Sequence, residues 1–456
     1  MKKAKRERKN EIDMLHGPLF KKMVLFALPL AASSILQQLF NLADTAIVGR
    51  FAGSEAMAAV GGNVPIINLL VSLFVGISIG ANVVIGRFIG EGKQERISDA
   101  VHTVILLAFI SGILLMAVGL AASGALLRIT GVPDNVMGLA RLYLRIYFFA
   151  TPFILIFNYA AAILRSKGDS RRPLYILMAA GVINVGLNLL FVIVFNMSVA
   201  GVALATLISN CISCIIVLIL LTKEDEPFRL NLKELRLNGK IVKEVLRIGI
   251  PAGLQGVVFS FSNTIIQSGI NSLGSDVIAG NAAAVNFESI CYFAINSFNQ
   301  TCVTFTSQNY GAGNARRCNK VFLESLAAGM VFCCVLNEGF ALFHEPLLAL
   351  FTTETAVLAV GRIRMLHVLT VQWIAGSYEI AGSALRGMGY SLTPTLITIF
   401  GTCVLRIIWV YAVFPRHRTY EMLLLTYPIT WVVTGIAVLV VYFIIREKAY
   451  AGFAAK

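Results

Sequence analysis

Charge is scarce in this sequence. Only 14% of its 456 residues are Asp, Glu, Lys or Arg, well under the roughly 25% of an ordinary soluble domain. That shortage argues against a water-soluble globule. Metal-ligating clusters are missing too. The one Cys-x-x-Cys, Cys211 and Cys214, lies inside an apolar run with no second pair nearby. Packing therefore explains it better than zinc or thiol redox chemistry, and no disulfide is implied. No nucleophile-base constellation or phosphate-binding glycine loop is present, so neither enzymatic chemistry, a nucleotide-driven step nor a bound cofactor is expected. The N-terminal stretch lacks the short apolar core and small-residue cleavage site of a removable signal peptide, and it reads as a tail.

What fills the sequence is apolar: 57% hydrophobic residues and a mean hydropathy of +0.78. Runs of about 20 apolar residues, each long enough to cross a hydrocarbon core of about 30 Å as a helix, recur near 23–48, 60–85, 100–122, 137–164, 173–195, 199–222, 247–270, 278–306, 321–343, 357–385, 394–414 and 421–445. The expectation is an all-α membrane protein with twelve transmembrane helices.

A formal charge of +14 would suit a nucleic-acid binder, so the placement of the basic residues has to decide. When the connections are numbered alternately, one set holds about 29 of the 38 Lys and Arg. It includes the tail with Lys2, Lys3, Lys5, Arg6, Arg8 and Lys9, the loop with Lys223, Arg229, Lys233 and Arg236, and the turn with Arg165, Lys167, Arg171 and Arg172. Arg50, Arg128, Arg416 and Arg418 fall on the opposite side. By the positive-inside rule the rich side is cytoplasmic, both termini included, and the charge is an orientation signal rather than a nucleic-acid surface. The lipid bilayer is the expected surrounding, and the cytoplasmic (inner) membrane the expected location.

The segment "LRSKGDSRRP" at 164–173 returns as "LRGMGYSLTP" at 385–394. A shift of 221 residues also superposes Gly53 on Gly274, Gly90 and Gly92 on Gly311 and Gly313, and Arg141 on Arg362; one residue more brings Pro29 to Pro251 and Asn41 to Asn263. The chain is a duplication. Six spans per half give two pseudo-symmetric six-helix lobes entering the membrane in the same direction, a parallel repeat. The expected division is a tail at 1–22, an N-lobe at 23–222, a linker at 223–246, a C-lobe at 247–446 and a tail at 447–456.

The repeated turn, the early span "LPLAASSILQQLFNLADTAIVGR" and "TFTSQNYGAGN" resemble the multidrug and toxic compound extrusion (MATE) family over essentially residues 20–446. The resemblance implies a two-lobe antiporter that alternates between outward- and inward-facing states. Such a protein exports mostly cationic or amphiphilic small molecules against an inward flow of H⁺ or Na⁺. A flippase for lipid-linked saccharides is the alternative within the same broad superfamily, and a membrane receptor or scaffold that moves nothing is the alternative outside it. The expectation for the working unit is a monomer.

Ionisable residues inside a membrane are costly, and one present in a single half needs its own reason. Asp44 is the clearest, because its repeat positions 265 and 266 are both isoleucine. Gln37, Asn41 and Asp44 share a face at i, i+4, i+7. Asn184 and Asn188, one turn apart in span five, and Thr206 in span six are candidate partners. Several members of the resembled family build a cation site from an acid in span one, polar residues in span five and a Thr in span six. One carboxylate among neutral oxygens can bind Na⁺ or take a proton, and the sequence leaves both open; no other metal is expected. In the second half, Glu288 heads a stripe with Tyr292, Asn296 and Asn299 at i, i+4, i+8, i+11, which suits a lipophilic cation. Glu379 and Gln372 are expected to share a face of span ten and to line the inner cavity. Either acid also has a structural alternative, an ion pair with Arg406.

Overall fold

The computed structural model describes residues 10–130 and 132–454; the basic tail from Lys2 to Lys9 and the final two residues lie outside that set. Among the described residues there is no strand, and twelve helices are long and apolar enough to span a membrane. In chain order they are α1 (Leu19–Phe51), α2 (Ser54–Gly90), α3 (Gln94–Ile129), α4 (Asp134–Lys167), α5 (Arg171–Val194), α6 (Ser198–Thr222), α7 (Gly239–Asn271), α8 (Ser275–Gly311), α9 (Ala315–Leu342), α10 (Thr355–Gly387), α11 (Leu392–Arg416) and α12 (Tyr420–Phe453).

Most helices outrun their apolar stretches. The first turns of α7 occupy residues 239–246, expected as linker, and α12 continues through most of the segment expected as a tail. Regular backbone hydrogen bonding does not stop where side chains turn polar, so hydropathy marks the lipid-facing length and underestimates the helix.

The duplication is written into the backbone. Three repeat-related glycine pairs hold matching left-handed conformations: Gly53 and Gly274 at φ 91° and 107°, Gly92 and Gly313 at 70° and 70°, Gly168 and Gly389 at 103° and 92°. Each sits in a tight connection at a positive φ that L side chains rarely adopt. The two halves therefore share their turn geometry as well as their helix count.

The chain clusters into two compact units. One comprises Leu28–Gly253 with the strip ending at Met14, the other Leu15–Ala27 with everything from Leu254 on. Within α1 and α7 the division falls beside Pro29 and Pro251. Each proline removes one backbone donor from its helix.

In the first unit α4 packs on α2, α3 and α6. Lipid tails are as apolar as leucine, so burying apolar surface does little to bring helices together in a bilayer; close backbone packing does more. The opening turns of α7 show this. A Cβ added to Gly76 of α2 would sit 2.2 Å from Gly253 Cα, one at Gly80 would sit 2.2 Å from the Val245 carbonyl oxygen, and one at Gly249 would sit 2.4 Å from Ile77 Cα. Gly76-x₃-Gly80 and Gly249-x₃-Gly253 thus face each other as paired small-residue motifs. In the second unit α8 packs on α9 and α10, and α10 on α12. The start of α1 is held there too: Phe26 meets Phe305 edge-on at 5.6 Å, and Arg317 donates to the carbonyls of His16 and Gly17.

The linker is not a free connector. Leu230 is buried and its amide donates to Leu221. The Asn231 amide donates to His102 Nε2, the Thr103 hydroxyl to the Arg236 carbonyl, and Arg236 pairs with Asp99. At the α4–α5 turn, Lys167 bridges Glu11 and Glu224 at 2.6 and 2.7 Å, while Arg172 binds Asp169 and Glu224. Gly168 is doubly required in that turn, for its φ and because a Cβ would lie 2.4 Å from the Ile12 carbonyl oxygen. Burial alone would raise the Glu224 carboxyl, but hydrogen bonds and charge from Lys167 and Arg172 hold it below the usual carboxylate value.

Candidate functional site

Asp44 projects from α1 into the first unit and is 9% exposed. Asn188 Nδ2 on α5 donates to Asp44 Oδ1 at 2.5 Å, and to Asn184 Oδ1, one turn earlier, at 3.2 Å. Asn184 Nδ2 donates in turn toward two hydroxyls of α6, Ser209 Oγ at 3.4 Å and Thr206 Oγ1 at 3.5 Å. Three helices thereby converge on one polar chain. Helical spacing makes it continuous, because Asn184 and Asn188 (i, i+4) share one face of α5, as Thr206 and Ser209 (i, i+3) share one of α6.

The amide donors in this chain are used, but one acceptor is not. Among the described residues, Asn188 Oδ1 is buried and accepts no hydrogen bond, and Asn188 is the one side chain that donates to Asp44. A buried acceptor left unmatched costs about 1–3 kcal/mol. A proton on the carboxylate or a hard cation among these oxygens would relieve that cost. The donor set is entirely carboxylate, amide and hydroxyl oxygen, which fits Na⁺. Among the described residues no cluster of His, Cys, Asp and Glu could hold a metal ion.

Gln37 and Asn41 stand apart. Both are exposed, and the Asn41 carbonyl accepts from Thr45 within the helix. Ser209 is the member that sequence reading missed; its signal was a second hydroxyl one turn beyond Thr206.

The second unit is organised by arginines. Arg364 of α10 clasps Glu288 Oε2 through Nε at 2.8 Å and Nη2 at 2.7 Å. Its Nη1 donates to Asn281 Oδ1 at 2.7 Å, an oxygen that also accepts from the Tyr420 hydroxyl at 2.9 Å. Glu288 is thus matched by Arg364, and the alternative ion pair with Arg406 is not formed. Arg364 had a signal of its own, since its repeat position is Tyr143 and the charge is unique to one half.

Gln372 Nε2 donates to the Glu288 carbonyl at 3.0 Å, whereas Glu379 Oε2 accepts from Asn299 at 3.2 Å. Both residues of α10 thus turn toward the Glu288–Asn299 stripe of α8, across a 3₁₀ stretch at Leu369–Ile374 between the α-helical halves of α10. Tyr292 is 40% exposed and Asn296 is partly buried. Glu379 does not pair with Arg406 either. Among the described residues Arg406, 2% exposed, reaches neutral groups: Thr430 Oγ1 and Asn263 Oδ1, both at 3.3 Å, with the Tyr427 and Phe259 ring centroids at 4.6 and 5.8 Å.

A duplicated scaffold of twelve apolar helices with ionisable groups buried inside each unit defines a multi-pass membrane transporter. The profile of the MatE family matches it twice, over residues 29–190 and 251–412. The chain belongs to that family. It is 29% identical to the probable multidrug resistance protein YoeA of Bacillus subtilis (strain 168), over 84% of each chain. It is 26% identical to a protein named FAD transporter from Shewanella oneidensis, over 77% of this chain and 78% of that one. Among solved structures, a MOP superfamily transporter from Pyrococcus furiosus, described as having a binding pocket of reverse polarity, superposes with a TM-score of 0.90 at 22% identity, covering 98% of this chain and 99% of that one. At that identity the likeness is one of fold.

Proposed function

We propose that this protein is a cation-driven antiporter that exports amphiphilic or cationic small molecules by alternating access, with Asp44 as the site where H⁺ or Na⁺ is exchanged. The observation that carries the reading is the acceptor-rich chain Asp44–Asn188–Asn184, in which a buried carboxylate accepts from one side-chain amide and the buried Asn188 Oδ1 has no donor. Relatives named as multidrug resistance proteins support the export of drugs. The bias of Lys and Arg supports a cytoplasmic-membrane protein with both termini inside, and a single chain suffices as the working unit.

The mechanism follows from what each form of the carboxylate can bond. Ionised Asp44 accepts a charge-assisted bond from Asn188 and ties α1 to α5. Neutralised by a proton or by Na⁺, it releases that amide, and α1 is no longer held by the same contact. An ion shifts a conformational equilibrium only through its differential affinity for the two states, and the α1–α5 contact provides that difference.

The test is transport in sealed proteoliposomes loaded with a fluorescent cationic dye. Asp44→Asn is expected to abolish dye movement driven by an imposed H⁺ or Na⁺ gradient, and the gradient that drives the wild type identifies the ion. Wild-type rate and gradient dependence in Asp44→Asn would overturn the proposal.

A further inference from the structure

The repeat relates the surroundings of Asp44 to a cluster in the second unit, although Asp44 itself falls on Ile265 or Ile266, and Asn184 and Asn188 fall on Leu405 and Trp409. Asn41 corresponds to Asn263, Thr206 to Tyr427 and Ser209 to Thr430; Val185, next to Asn184, corresponds to Arg406. These second-unit residues are the ones that meet in space: Arg406 donates to Asn263 and Thr430 and lies over the Tyr427 ring. One half therefore buries an acid among neutral polar groups at the α1–α5–α6 junction, while the other buries a base at its α7–α11–α12 junction, contributed from a different repeat position.

Arg406 differs from Arg364 of the same unit. Arg364 has Glu288 at 2.7 Å, while Arg406 has two neutral acceptors at 3.3 Å and, among the described residues, no carboxylate in ion-pairing reach. A buried cation without a counter-charge is costly and calls for an anionic partner. Its backbone is also irregular, since Arg406 sits in one α-helical turn, Leu405–Ile408, between π-helical stretches at Ile399–Val404 and Trp409–Val413. Such bulges are often found at functional sites. One turn further along, α11 and α7 line an open groove of ≈ 280 Å³ that includes Val410 and Gly269 and has Arg418, though not Arg406, among its lining residues.

We propose that Arg406 is the centre of an anion site in the second unit, which takes the carboxylate or phosphate monoester of an amphiphile. The guanidinium supplies a planar fork of donors matched to such groups, and Tyr427 and Phe259 provide aromatic surface for the apolar body. This site is independent of ion exchange at Asp44 and extends the substrate range to anionic or zwitterionic compounds.

The test uses the purified full-length protein and a ligand pair that differs by one phosphate, riboflavin 5′-phosphate and riboflavin, titrated by flavin fluorescence without any ion gradient. The phosphate ester is expected to bind about tenfold more tightly, the scale of one charge-assisted contact. Arg406→Gln is expected to remove that difference and leave riboflavin affinity unchanged. If Arg406→Gln does not fold, competition on the wild type decides, because inorganic phosphate must displace the ester and not riboflavin. Repeating the titration in phosphatidylcholine nanodiscs with and without phosphatidylglycerol separates the sources: loss of ester binding in the anionic discs assigns the site to a lipid headgroup, persistence to a soluble solute. Equal affinities in the wild type, no saturable binding of the ester, or a preference that survives in Arg406→Gln would each overturn the proposal.

Discussion

Asn188 donates a 2.5 Å hydrogen bond to Asp44 from one turn beyond Asn184, joining α5 to α1 inside the first unit. The contact brings together residues 144 positions apart in sequence. Its consequences are the most direct to measure.

Replacing Asn188 with Ala removes the single hydrogen bond to Asp44. A bond to a charged group contributes about 1.5–3 kcal/mol, so the driving-ion concentration for half-maximal export should change by about 10- to 100-fold. The measurement is a titration of transport rate against pH or Na⁺ in proteoliposomes. An unchanged midpoint would show that the bond takes no part in ion exchange.

Breaking the Arg364–Glu288 pair should cost stability. Removing one partner of a buried pair leaves the other charge uncompensated, at about 3–5 kcal/mol. Glu288→Gln is therefore expected to lower the thermal midpoint of the detergent-solubilised protein clearly, and Glu288→Gln with Arg364→Gln to recover part of the loss. A double variant that falls by the sum of the two singles would mean the residues are not coupled.

The glycine seam between α2 and α7 should tolerate nothing larger. A methyl at Gly253 would lie 2.3 Å from the Leu73 carbonyl oxygen, a backbone atom that cannot swing aside. Gly253→Ala should destabilise by about 1–3 kcal/mol, as overpacking does, whereas Gly61→Ala, where a Cβ meets nothing within 4 Å, should be silent. Thermal midpoints of the two variants compared side by side decide the point.

Acid should loosen the linker before it melts the helices. The Glu224 carboxyl is held below its ordinary value by Lys167 and Arg172. A depressed carboxylate contributes stability above its unfolded pKa of about 4.3 and loses it as pH falls through the lower folded value. Hydrogen exchange at Glu224–Leu235 is expected to rise on acidification below about pH 4. In Glu224→Gln the same amides should exchange quickly at neutral pH and show a smaller acid-dependent change.

The scaffold was legible in the sequence because its signals repeat. Twelve apolar runs, the alternation of basic loops and the returning turn at Gly168 and Gly389 each state a rule of the bilayer or of backbone geometry, and each is stated more than once. The Asp44, Asn188, Asn184 and Thr206 grouping was legible for a related reason: costly polar residues recur at helical spacing in apolar surroundings. Gln37 and Asn41 satisfied the same spacing, yet they remain exposed, since periodicity selects a face without saying how wide the buried part of it is. The pairing in the second unit was not legible. Deciding whether Glu288 meets Arg364 or Arg406 requires the mutual height and rotation of α8, α10 and α11, and the 3₁₀ stretch of α10 and the π stretches of α11 change those rotations without an obvious mark in composition. The exchange of helical segments between units was equally hidden, as hydropathy treats α1 and α7 as unbroken spans.

That exchange makes each half of the duplicated chain unfinished by itself. Leu15–Ala27 is encoded in the first copy and completes the second unit, while Gly239–Gly253 follows the linker and completes the first. A polypeptide severed between them would leave two fragments, each holding a piece the other lacks. Separately made they should be insoluble or degraded; made together, they should find one another and restore a whole.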